Sequence, residues 1–207
     1  MEAFLPQPLS ADALQQLGDD RYLSAISRRV FQAGMQHSVV DARWPAFEQA
    51  FWNFVPEKVV MISPEQLEAH LKNERLIRHL TKLQTIPQNA LLILDIRQQY
   101  GGSFGDFIAD WPTHNIIGLW RLLAKRGARL GGRSAASFLR LVGKDTFLLT
   151  SDVVARLQAA GVIDHHNPSS QRDLQAIQNT FNALQQRSGR PLCQLSAMLS
   201  LSINPRF

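Results

Sequence analysis

The chain has 207 residues, 45% of them hydrophobic, and a net charge of +5, enough for one large domain or two lobes around a shared core. No run approaches the ~18–20 apolar residues of a membrane span, and Met1–Ser10 lacks the basic start and apolar run of a signal peptide; neither is expected. Cys193 is the one cysteine, which excludes an internal disulfide and a multi-cysteine metal site and fits a reducing cytoplasm.

Residues 1–18, with two prolines and a glycine, read as an N-terminal arm that packs late or loosely, and 19–207 as a single helical domain. Asp19 or Asp20 can cap a helix through Tyr22, Ala25, Ile26, Val30 and Phe31. A second helix is expected over Trp44–Phe54, with Pro45 in its first turn. Ser63-Pro64-Glu65-Gln66 is a capping box with proline at the first helical position, opening a helix to about Asn73. Leu76–Arg97 reads as one or two helices broken or kinked at Pro87. Tyr100-Gly101-Gly102-Ser103 is a turn, and further helices are expected at about 104–110, 115–126, 133–142, 150–160 and 170–188. Period-two alternation is absent, so the fold is read as all-α.

Seven of the 22 basic residues (Arg121, Lys125, Arg126, Arg129, Arg133, Arg140 and Lys144) fall in one stretch of 24 positions that holds no Asp or Glu. Such a run is either a solvated helix face or a field that attracts a polyanion. Within it, Gly127 and Gly131-Gly132 turn the chain between two helices. Glycine permits positive φ and close backbone approach, and the new helix aims its free N–H groups and positive dipole end outward, as a phosphate site requires.

A hairpin ending in glycine (Gly132), a basic residue (Arg133), a helix ending at Gly143 and an aspartate opening the next helix (Asp152) together resemble the helix-hairpin-helix DNA glycosylases. A second set covers about residues 25–165: Gln32-Ala33-Gly34, Leu76-Ile77-Arg78-His79, Lys82, Gln84, Asn89-Ala90 and Leu123-Ala124-Lys125-Arg126-Gly127. It resembles the bacterial 3-methyladenine DNA glycosylase I family. The resemblance implies a two-lobed helical fold with its hairpin near 126–134. It implies a monomer that binds double-stranded DNA through Lys125, Arg126, Arg129, Gly131, Gly132 and Arg133 and hydrolyses the N-glycosidic bond of a flipped damaged base. The alternative is a helix-hairpin-helix module that binds DNA without catalysis.

For the chemistry, the resemblance puts Asp152 beneath the sugar, where a carboxylate stabilises the positive charge of the transition state and orients water; read locally, Asp152 caps a helix after Thr150-Ser151. Bifunctional relatives carry a Schiff-base lysine two residues after the last hairpin glycine. Ser134 stands there, which implies a monofunctional enzyme. Phe31, His37, Trp44 and Trp111 are candidate base-pocket walls. The family's pocket glutamate falls on Arg29 and a pocket aromatic on His37, from which a poor fit to a cationic base follows. The family's zinc is held by cysteines and histidines at the two chain ends. No N-terminal cysteine exists here and His165-His166 stands alone, so no metal and no cofactor are expected. The sequence Ala128-Arg129-Leu130-Gly131-Gly132 also departs from the hairpin pattern that holds an alkali cation.

Overall fold

A computed structural model describes residues 5–203, and they are helical with no strand among them. The elements are α1 (Ala11–Gln16), α2 (Asp19–Gln32), α3 (His37–Ala50), α4 (Pro56–Val59), α5 (Pro64–His70), α6 (Leu80–Leu83), α7 (Thr85–Tyr100), α8 (Phe104–Asp110), α9 (Ile116–Arg126), α10 (Ser134–Leu141), α11 (Ser151–Ala159), α12 (Gln171–Ser188) and α13 (Leu192–Leu201). The all-α reading therefore holds.

Helix α2 is the hub. Tyr22, Leu23, Ile26 and Val30 recur at three- and four-residue spacing and are fully or almost fully buried, giving one apolar stripe. It packs against α3, α4, α7, α8 and α10, so the first and last halves of the chain share one core. Residues 9–16 pack on this body. Leu14 is buried, the Leu14 carbonyl accepts the Tyr22 hydroxyl at 2.7 Å, and Leu9 N–H donates to the Gly143 carbonyl at 2.9 Å. The close approach of α1 to α8 requires Gly105, because a Cβ there would lie 2.7 Å from the Leu14 carbonyl oxygen.

Helix α3 begins about two turns before the expected start and carries Pro45 in its interior. The reason is packing: Val40, Trp44 and Phe47 form a continuous buried stripe, and the burial outweighs the one hydrogen bond that proline removes. The helix ends at a turn in which Trp52, Asn53 and Phe54 all have positive φ. That conformation costs about 1–2 kcal/mol per residue and is held by stacking of Phe54 on Trp44 and Phe51. Pro87 produces no break, since it lies in the first turn of α7, where its missing N–H has no intrahelical partner. The capping box of α5 is present in both directions between Ser63 and Gln66. Helix α13 was not foreseen from the sequence. Its cap is remote: the Asp145 carboxylate accepts the Leu192 and Cys193 N–H groups at 3.0 and 2.9 Å.

Candidate nucleic-acid interface

Helix α9 ends at Gly127, where a Cβ would meet Leu130 Cδ1 at 2.6 Å and the Leu123 carbonyl oxygen at 2.8 Å; only glycine lets the chain leave so tightly. Ala128 is then clamped from α7. Asn89 Nδ2 donates to the Ala128 carbonyl at 3.1 Å and Asn89 Oδ1 accepts the Ala128 N–H at 2.8 Å. Asn89 is 0% exposed. Arg129 takes a left-handed φ of 58°, Leu130 drops into the core, and Gly131 and Gly132 stand exposed with open space where a Cβ would be. Arg133 opens α10 and supplies no side-chain cap to its first turn. The result is a hairpin fixed by one apolar anchor and one amide clamp, with the uncapped, electropositive end of α10 directed at solvent.

The basic run divides in two. Arg121, Lys125, Arg126, Arg129 and Arg133 are exposed around the hairpin, with Arg126 bonded to Gln99 at 2.8 Å. The other two are interior staples. Lys144 is 5% exposed and donates to the Ala109 and Trp111 carbonyls at 2.9 and 2.6 Å; burial pushes its ammonium below the usual lysine range. Arg140 donates to the Thr146 carbonyl at 2.5 Å and Ser196 Oγ at 3.0 Å. Neither faces a polyanion, a correction to the even field that the sequence suggests.

Helix α2 packs on α10, and its end is pinned to α6. Lys82 in α6 donates to the Phe31 and Ala33 carbonyls at 3.1 and 2.8 Å and lies 5.9 Å from the Phe31 ring centroid. Arg29 is half-buried one turn earlier in α2. In the sequence Lys82 and Asn89 stand only as members of family motifs, with no role of their own. A polar Asn89 on an otherwise apolar helix face was the available signal for a backbone clamp.

A cleft of about 440 Å³ opens beside the hairpin between α9, α10, the start of α11 and residues 166–169. Ile117, Trp120, Ala136 and Leu174 are among its apolar walls, and Arg121, Arg133 and Ser151 among its polar ones. Asp152 is not in the lining. It is half-buried, and its carboxylate accepts Ser200 Oγ of α13 at 3.1 Å; the cap of α11 is Thr150. Phe31 and Trp44, expected in a base pocket, are core residues. Phe31 is 0% exposed, and Trp44 Nε1 is satisfied internally by Ser24 Oγ at 2.9 Å, so neither ring is presented to a ligand. Trp111 is half-buried, with its indole N–H on the Asn115 carbonyl. His37 is exposed at the start of α3. The chain-end metal site does not fit these residues: the described part holds no group of three or more His, Cys, Asp or Glu side chains that could bind an ion, and Cys193 Sγ faces the Pro6 carbonyl at 3.4 Å.

A helical body that presents a glycine hairpin, a helix N-terminus and five exposed cations offers a surface of the chemistry that suits a polyanion. The family is specified by comparison. The methyladenine glycosylase family model matches residues 14–173, and the chain belongs to that family. It is 33% identical over 86 residues to a DNA-3-methyladenine glycosylase of Haemophilus influenzae. That match covers 42% of this chain and 46% of the relative, so less than half of the relative's length is spanned. A crystal structure of a 3-methyladenine DNA glycosylase I superposes with a TM-score of 0.54 at 25% identity, over 64% of this chain and 82% of the other. The enzyme of that name from Staphylococcus aureus gives 0.56 at 23% identity over 68% and 80%, a likeness of fold. Most of α12 and all of α13 lie beyond the family match.

Proposed function

We propose that this chain is a base-excision DNA glycosylase that holds duplex DNA on the 127–133 hairpin and hydrolyses the N-glycosidic bond of an extruded damaged base. The observation that carries the reading is the hairpin itself, clamped by Asn89 and ringed by exposed cations in a member of this family. Phosphates suit the uncapped α10 end, and a base must leave the stack for its bond to be reached. Ser134 occupies the position of the Schiff-base lysine, so the product is an abasic site without strand cleavage.

The resemblance assigns the sugar-facing carboxylate to Asp152. In the free protein that carboxylate faces Ser200, so the assignment entails exchanging this hydroxyl for the sugar when DNA binds. The relatives' names suggest 3-methyladenine as one base to test. Arg29 bears on it: a cationic base about 4 Å from an uncompensated guanidinium costs about 4 kcal/mol at an effective dielectric of ~20.

A second reading, DNA binding without excision, is favoured by the same Asp152–Ser200 contact and by the burial of Phe31 and Trp44. A base-release assay over methylated, deaminated and oxidised duplexes separates the two. Free base in any arm supports the glycosylase; duplex binding with release in none leaves the binding module.

A further inference from the structure

Four cations from three separate segments, the end of α2, α6 and the hairpin, lie within electrostatic reach of one another: Arg29, Lys82, Arg129 and Arg133. Contacts that do not involve a carboxylate bring them together. Lys82 spends two of its three N–H donors on the Phe31 and Ala33 carbonyls, pinning α6 to the end of α2. Asn89 pins Ala128 and with it the hairpin. Arg29 Nε is buried without a hydrogen-bond partner, and Arg29, Arg129 and Arg133 form no ion pair among the described residues. The groups feel one another: Arg133 adds to burial in lowering Arg29, and Arg129 and Arg29 add to burial in lowering Lys82. Half-buried Arg21, by contrast, is paired with Glu48 at 2.9 Å.

An unanswered guanidinium N–H in a half-buried, like-charged group destabilises a fold. Its natural complement is an anion that can accept from several directions at once. We propose that the α2–hairpin junction is a phosphate seat: a phosphate oxyanion bridges Arg29 and Arg133, with Arg129 and Lys82 completing the positive field. The guanidinium fork matches phosphate oxygens, and Arg133 directly precedes the first turn of α10. The proposal rests on the DNA-binding reading for the source of the phosphate, a phosphodiester of the bound strand. The seat then joins the two halves of the chain across that strand. It also neutralises Arg29, lowering its repulsion of a cationic base.

The test compares wild type with Arg29→Gln and with Arg133→Gln, which lies on the exposed surface. Each variant should lower the slope of log K against log salt for duplex DNA by about 0.9, so that wild type loses about 3.5-fold more affinity than the variant between about 50 and 200 mM salt. The free Arg29→Gln protein should melt no lower than wild type, whereas a purely structural arginine would lower it. Inorganic phosphate should raise the melting temperature of wild type and not of Arg29→Gln. A duplex scanned with single uncharged methylphosphonate linkages should show one position that weakens wild type clearly more than it weakens Arg29→Gln, which keeps only the Arg133 side of the bridge. If phosphate protects but no linkage matters, the DNA source is overturned. If slopes and phosphate response are unchanged in both variants, the seat itself is overturned, whatever the base-release assay shows. If the slopes fall as expected while no base is released, the seat stands and only the glycosylase reading fails.

Discussion

Replacing Asn89 by alanine tests how the hairpin is held. The side chain is fully buried in α7 and makes two bonds to one residue, Ala128, at 2.8 and 3.1 Å. Each such bond contributes about 1 kcal/mol net, and a backbone group left dry and unpaired costs about 1–3 kcal/mol. The expected loss is therefore about 2–4 kcal/mol, or roughly 4–16 °C in melting temperature for a domain of this size. Duplex affinity should fall as well, because Arg129, Gly131 and Gly132 lose the fixed point from which they project. Asn89→Asp should fare no better, since it keeps the acceptor for the Ala128 N–H but sets an oxygen against the Ala128 carbonyl. Thermal unfolding read beside fluorescence anisotropy on an undamaged duplex measures both effects. An Asn89→Ala protein within about 0.5 kcal/mol of its parent, and binding DNA as the parent does, would refute the clamp.

Arg133→Ala should weaken binding to all duplex sequences alike, since a phosphate contact carries no base information; loss confined to some sequences would contradict this. Asp152→Asn should leave duplex affinity intact and slow base release by about 100-fold or more if the carboxylate meets the developing charge. Unchanged single-turnover release would remove Asp152 from the chemistry. His70 is half-buried against Phe51, with centroids 4.9 Å apart, and burial lowers its imidazole below 6.5. The unfolded chain then takes the proton first, so stability falls as pH drops from about 6.5 and the loss is complete below the folded value. His70→Gln should flatten that part of the acid limb in a melting-temperature series, and an unaltered limb would exclude His70 as its source.

What could be read from the sequence was what local chemistry encodes. Ser63 with Gln66 placed the start of α5, and the Tyr100–Ser103 turn was legible although α7 runs three residues past the expected Arg97 to it, because caps and left-handed glycines act within a few residues. Where a distant partner decides, the sequence was silent or misleading. Helix α13 draws its cap from Asp145, 47 residues away from Leu192, and the early start of α3 depends on burying Val40 beside Trp44. Counting Arg140 and Lys144 with the hairpin cations treated charge as a property of spacing, whereas carbonyls of other segments claim both side chains. Phe31 and Trp44 are aromatic, like pocket walls, but one hydroxyl and a stack of rings hold them in the core. The hairpin glycines were legible; the Arg29–Lys82–Arg133 junction was not, since nothing in the spacing of residues 29, 82 and 133 brings them together.

The central claim is excision, and release of free base under single-turnover conditions tests it most directly. Duplexes carrying methylated, deaminated or oxidised bases are incubated with excess protein, and liberated bases are resolved by chromatography. The expected result is release of at least one damaged base, leaving an alkali-labile abasic site and no borohydride-trapped protein–DNA adduct, in keeping with Ser134. Tight binding to these duplexes with no base released from any of them would contradict it.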